Sequence, residues 1–182
     1  MYGLVNRAIG DLVCRHFDEA TWQRIRDRSG VAEDVFLSME TYPDSVTVAL
    51  VVAASEELKL EPATVLELFG EHWVNYAAAQ GYRDLMQVRG DSLFAFISRL
   101  DDLHSRLALT FPKLRPPSFK TADVTARSLR LHYFSEREGL ASFVIGLVRG
   151  LGKLFGTPVD VVHDVPRGGS RDHDEFVVTL RT

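Results

Sequence analysis

Leu4, Val5, Ala8, Ile9, Leu12 and Val13 recur four apart and predict an amphipathic first helix. Thr21 to Arg28 reads as a short second helix stopped by Ser29-Gly30. After the turn at Tyr42-Pro43-Asp44, Val46 to Leu58 is apolar on most sides, as a buried helix is. Pro62 stands where a helix begins, and Val65, Leu66, Phe69, Trp73 and Val74 give its apolar stripe. Asp91 or Ser92 caps one longer helix running to about Leu109, and Lys113 to Ser118, with Pro116-Pro117, opens a loop.

Beyond that loop the period changes. Ser128 to Phe134 alternates, with Leu129, Leu131 and Tyr133 on one side and Arg130, His132 and Phe134 on the other, so it predicts a strand. Leu140 to Phe155 returns to helical spacing, with Gly156 as its cap. Pro158 to Val165 and Glu175 to Leu180 read as two further strands joined by a turn over Pro166 to Ser170. The expected fold is α+β: a helical N-terminal part packed on a C-terminal antiparallel sheet with helices. No linker separates the parts, so residues 1–182 read as a single domain, with lobes of about 1–62 and 63–182.

Composition narrows the function classes. With 46% apolar residues the chain has ample material for a core. Its net charge of -4, with no long run of either sign, argues against nucleic acid as a partner. No apolar stretch is long enough to span a membrane, and the N-terminus does not read as a signal peptide, which points to the cytoplasm. The single Cys14 leaves no internal disulfide and no cysteine-rich metal site.

Two features carry chemistry. His104 falls inside the stripe of Leu93, Phe96, Ile97, Leu100, Leu103 and Leu107. Burying an imidazole without partners is costly, so it is either a hydrogen-bonded core histidine or an axial metal ligand whose second nitrogen is held by an acceptor. Tyr133, Ser135 and Arg137 form Tyr-x-Ser-x-Arg where the strand gives way to a helix. Residues two apart in extended chain point the same way, so a phenol, a hydroxyl and a guanidinium converge on an anion with several acceptor oxygens; the alternative is an ordinary polar strand edge. Together, an axial nitrogen, an apolar cavity and carboxylate-binding donors are what haem b requires. Of the other histidines, His16 and His72 read as helix-surface residues. His163 and His173, with Asp164 and Asp174, are either a weak surface metal site or, more simply, a solvated charge cluster.

These residues lie in a sequence that resembles the H-NOX domains, the haem nitric oxide/oxygen binding family related to the haem domain of soluble guanylate cyclase. The likeness runs through Met1-Tyr2-Gly3-Leu4-Val5-Asn6, Phe69-Gly70-Glu71-His72-Trp73-Val74, Leu103-His104 with Phe111-Pro112, and Leu114-Arg115-Pro116-Pro117. It continues through Leu131-His132-Tyr133 with Ser135 and Arg137, and from Gly146-Leu147 to Gly150-Leu151-Gly152-Lys153. It is most similar to the stand-alone bacterial members, the cyanobacterial type in particular. The resemblance implies that His104 is the proximal iron ligand, that Tyr133, Ser135 and Arg137 hold the haem propionates, and that Pro117 presses on the porphyrin. It places Val5, Ile9, Trp73, Phe143 and Leu147 around the distal side.

Oxygen-binding members carry a distal tyrosine on the helix after the clamp. Allowing one extra residue after Arg137, that position here is Phe143, with Ser142 as the rival. Oxygen at ferrous haem gains from a nearby hydrogen-bond donor, whereas nitric oxide binds strongly without one. Phe143 offers none, so the expectation is a sensor of nitric oxide that also binds carbon monoxide and excludes oxygen, with the Trp73 indole N–H and the Ser142 hydroxyl as the competing donors. The expected partners are a separate histidine kinase or cyclic-di-nucleotide enzyme, reached by release of the proximal histidine. No catalytic constellation suggests an enzyme. The alternatives are an oxygen-binding haem sensor and an adaptor of the same fold that works without haem.

Overall fold

The computed structural model describes residues 1–79 and 92–181. The N-terminal part is helical: α1 (Gly3–His16), α2 (Glu19–Ser29), α3 (Asp44–Leu58) and α4 (Pro62–Ala77). Asp18 caps α2 by accepting the Thr21 N–H at 2.6 Å, and Gly30 ends it in the left-handed region at φ 65°. Pro62 occupies the first turn of α4, where its missing N–H costs nothing. Leu4, Ala8, Ile9 and Val13 of α1 are buried against Ile25, Leu50, Val51, Ala54, Val65 and Phe69. Within this core Thr47 donates to the Asn6 side-chain oxygen at 2.7 Å, tying α3 to α1.

The expected long helix from Ser92 is two helices, α5 (Leu93–Ile97) and α6 (Leu100–Thr110). Ser92 caps the first through the Ala95 N–H; Asp91 lies outside the described residues. The break falls at Ser98-Arg99. There the Ser98 hydroxyl bonds back to the Phe94 carbonyl and meets the Thr121 hydroxyl at 3.0 Å. Thr121 belongs to β1 (Ser118–Ala122), a strand that the sequence pattern did not predict.

The sheet is antiparallel throughout, in the order β1-β2-β4-β3, with β2 (Ser128–Phe134), β3 (Val159–Val165) and β4 (Asp174–Leu180). Its inner face buries Phe119, Leu129, Leu131, Tyr133, Val159, Val161, Phe176 and Val178 against α5 and α7 (Ala141–Leu154). The alternation expected for Ser128 to Phe134 is realised residue by residue, with Arg130, His132 and Phe134 on the outer face.

The helical part and the sheet meet where α4 crosses α7, and glycines set the spacing. A Cβ on Gly70 would lie 2.1 Å from the Phe143 carbonyl oxygen, and one on Gly146 would lie 1.9 Å from the Glu67 carbonyl oxygen. Backbones approach this closely only without side chains. Arg149–Glu67 and Lys153–Glu71 ion pairs flank the crossing. Helix α4 contributes Val65, Phe69 and Tyr76 to the helical core and Val74 to the sheet core, so it belongs to both.

Candidate functional site

His104 sits on α6, one turn beyond the buried Leu100. Its Nδ1 donates to the Pro117 carbonyl at 3.0 Å, the only role a carbonyl partner permits. That bond fixes the tautomer: Nδ1 keeps the proton, and Nε2 carries a lone pair able to bind a metal. Burial pushes the imidazole pKa below its ordinary 6.5, against the opposing pull of the Pro117 carbonyl and Asp101. Asp101 clamps the same helix to the start of β1, accepting from the Ser118 hydroxyl at 2.6 Å and the Phe119 N–H at 2.8 Å.

Tyr133, Ser135 and Arg137 do come together. Tyr133 is buried at the end of β2, its hydroxyl bonded to Ser135, and burial raises its pKa. The Arg137 backbone N–H donates to the Ser135 hydroxyl oxygen at 3.0 Å. The Arg137 guanidinium holds a carboxylate, donating from Nε to Asp44 at 2.7 Å and from Nη1 to the Arg115 carbonyl at 2.9 Å; Nη2 takes part in neither bond. Asp44 also receives the N-terminal amine at 2.6 Å. Arg167 closes the back of the loop, donating to the carbonyls of Ser135 at 2.9 Å and Arg137 at 3.3 Å.

Sequence reasoning missed Asp44, Arg167 and Phe119. Phe119 is buried with its ring centroid 5.9 Å from His104 and 5.3 Å from Tyr133, so one aromatic ring joins the histidine to the clamp. Asp44 and Arg137 are 93 residues apart, and no local pattern announces such a pair.

Four of the five residues expected on the distal side share one apolar cluster. Ile9 is buried there, with Val5, Trp73 and Phe143 packed around it half-buried. Phe69 lies between the two large rings, 6.4 Å from Trp73 and 5.2 Å from Phe143. Leu147 packs instead against the sheet core. A cavity of about 200 Å3 lies in the helical part, lined by Ile9, Leu12, Val51, Val65 and Phe69 among others. His104 and the clamp do not line it, and it is smaller than the several hundred Å3 a macrocycle needs.

Two readings of the remaining polar residues change. His72 is not a surface residue: only 10% of its side chain is exposed, and its Nε2 lies 2.8 Å from an Asp11 carboxylate oxygen. His163 and His173 do not share one cluster. His163 pairs with Asp174 at 2.8 Å, Asp164 with Arg130 at 2.6 Å, and His173 with His132 at 3.0 Å.

The donor set fits haem: an imidazole with an oriented lone pair, and a phenol, a hydroxyl and a guanidinium beside it that already binds carboxylate. The comparisons agree. The family model described as haem-NO-binding, HNOB, matches residues 2–163. The beta-2 subunit of soluble guanylate cyclase from Rattus norvegicus is 35% identical over 123 residues, covering 64% of this chain and 18% of that protein. The soluble guanylate cyclase gcy-32 of Caenorhabditis elegans is 33% identical over 156 residues, covering 84% of this chain and 23% of that one. The chain thus spans about a quarter or less of these relatives. Among solved structures, the H-NOX protein of S. oneidensis in its Fe(II)NO state superposes with a TM-score of 0.89 at 19% identity, covering 100% of both chains. The Fe(II) unliganded H-NOX protein of K. algicida gives 0.85 at 21% identity, covering 100% of this chain and 97% of that one. With the family model matched across residues 2–163 and this fold beneath it, the chain belongs to the haem-NO-binding, or H-NOX, family.

Proposed function

We propose that this chain is a gas sensor built on haem b, ligated by His104, that binds nitric oxide and carbon monoxide and excludes oxygen. The observation that carries the reading is the Nδ1–H bond from His104 to the Pro117 carbonyl, which leaves Nε2 unprotonated, as an iron ligand must be. Haem b would supply a ferrous iron able to bind a diatomic gas. Tyr133 and Ser135 would donate to the propionates, and Arg137 would do so through Nη2 or by exchanging Asp44, which it now holds, for a propionate. Val5, Ile9, Trp73 and Phe143, which share one apolar cluster, would keep water from the gas side.

Selectivity rests on Phe143. It packs on Phe69 and brings no hydrogen-bond donor, which supports nitric oxide over oxygen. The relay runs through α6. The His104 Nδ1 bond to Pro117 and the Asp101 bonds to Ser118 and Phe119 couple α6 to the Pro117 loop and the edge strand, so that these would move as one body if His104 were released. A separate histidine kinase or cyclic-di-nucleotide enzyme in the cytoplasm reads that movement. This is allosteric only if the partner binds the two states with different affinity.

The test is to expose the reduced, haem-loaded chain to air, carbon monoxide and nitric oxide, beside Phe143→Tyr. The wild-type spectrum is expected to change with the last two gases and not with air, and Phe143→Tyr to gain an oxygen complex. A stable oxygen complex of the wild-type chain contradicts the selectivity, and failure to take up haem at all favours the haem-independent adaptor.

A further inference from the structure

The outer face of the sheet, turned away from α7, carries a second group of metal-ligand side chains. His132 on β2 lies directly opposite Glu175 on β4, and His173 precedes Glu175 by two positions, so all three side chains share that face. The Nδ1 of His132 is 3.0 Å from the Nε2 of His173, and that Nε2 is 3.6 Å from a Glu175 carboxylate oxygen. All three donor atoms lie within 4.8 Å of one another. A tetrahedral zinc ion with bonds of about 2.0–2.1 Å separates its ligand atoms by about 3.3–3.4 Å, so these spacings bracket the required edge.

We propose that His132, His173 and Glu175 form a three-ligand site for a divalent transition metal, zinc in particular, with the fourth position open to water.

The surroundings favour ligation over a plain imidazole pair. Asp172 accepts from His173 Nδ1–H at 2.7 Å, which fixes the tautomer that leaves Nε2 bare, the carboxylate–histidine arrangement that supports metal sites. The Phe134 ring stacks on His173 at 4.3 Å and holds its plane. Lys120, across from His132 on β1, is drawn over the Phe134 ring at 5.3 Å. Glu175 is shared with two cations: Arg130 reaches Oε2 at 3.2 Å and leaves Oε1 to the histidines, while Arg171 reaches Oε1 at 3.4 Å. Arg171 is half exposed and swings into solvent when a metal takes Oε1. Two imidazoles and one carboxylate suit zinc better than magnesium or calcium, which take oxygen ligands. The bound ion ties β2 to the start of β4 one residue from Tyr133.

The test is zinc binding to the full, haem-loaded chain, measured by calorimetry and by metal analysis after gel filtration. One zinc per chain is expected. His173→Ala and His132→Ala are each expected to lose it, Asp172→Asn to weaken it by about 10–100-fold, and His163→Ala to leave it intact. A wild-type chain that binds no zinc, or a loss that follows His163 instead of His173, overturns the proposal. Should a variant fold poorly, the imidazole nitrogen resonances of the wild-type chain decide. Zinc should shift His132 Nδ1 and His173 Nε2 and leave those of His163 in place; the reverse pattern refutes the site.

Discussion

The imidazole of His104 donates to the carbonyl of Pro117 at 3.0 Å, across a separation of 13 residues. One bond therefore joins the residue proposed to hold iron with the proline expected to press on the porphyrin. The two are mechanically linked before any cofactor arrives. Because the carbonyl belongs to the backbone, the link survives substitution of the proline ring, and Pro117→Ala is a change of shape rather than of ligand orientation.

Stability of the haem-free chain should depend on these histidines. Burial depresses the pKa of both His104 and His72 below the ordinary 6.5. Below that value the unfolded chain takes up protons that the folded chain refuses, so the unfolded state binds more of them. Stability is then full above about pH 6.5 and falls as pH drops through the depressed values. Urea unfolding from about pH 7.5 down to 5.5 should show this decline, with a shallower slope in His104→Leu. An unchanged slope would place His104 in water.

The α4–α7 crossing tolerates no side chain. Gly146→Ala puts a methyl 1.9 Å from the Glu67 carbonyl oxygen, which is backbone and does not turn aside. The helices must separate, with an expected cost of about 1–3 kcal/mol in denaturant unfolding. Phe143, one turn earlier on α7, moves with them and loosens against Phe69, so its solvent accessibility by hydrogen exchange of α7 should rise in the same variant.

Asp44 should matter to cofactor retention although it is remote from the clamp in sequence. It holds the Arg137 guanidinium while carrying the N-terminal amine, and both bonds lower its pKa despite the opposing effect of burial. The Arg137–Asp44 pair is partly exposed, with side chains 24% and 48% accessible, so its worth is nearer about 1 kcal/mol than the value of a buried pair. Asp44→Ala should speed haem transfer to an apo-myoglobin acceptor a few-fold. A slowing instead would mean that Asp44 competes with the propionates for Arg137.

Cys14 should be chemically quiet. Burial and its bond to Glu19 push the thiol up from 9.0 to about 11, where little of it is thiolate at neutral pH. Iodoacetamide should label the unfolded chain about a hundred-fold faster than the folded one, two pKa units corresponding to that factor in thiolate. Glu19→Gln should recover part of the difference.

What was legible in the sequence follows from the range of the interactions involved. Helices α1 to α4 and α7 show in their periodic stripes, and β2 shows in strict alternation. His104 stands out because an imidazole interrupts an apolar face, and the clamp because its residues are two apart on one strand. β1 was illegible: among Ser118–Ala122 only Phe119 is buried, and the strand is held from outside by Asp101 and by pairing with β2. The Ser98-Arg99 break depends on the contact to Thr121, and the burial of His72 on α1 packing beside it. Arg137 with Asp44 and His132 with His173 are pairs 93 and 41 residues apart, brought together by topology alone.

The measurement that bears most directly on the central claim is the visible spectrum of the reduced, haem-reconstituted chain, recorded for the wild type and for His104→Ala. The account predicts one haem per wild-type chain, with a five-coordinate ferrous spectrum that is lost in His104→Ala and regained when imidazole is added. Identical spectra for the two proteins would show that another residue, or none, holds the iron, and would contradict the account.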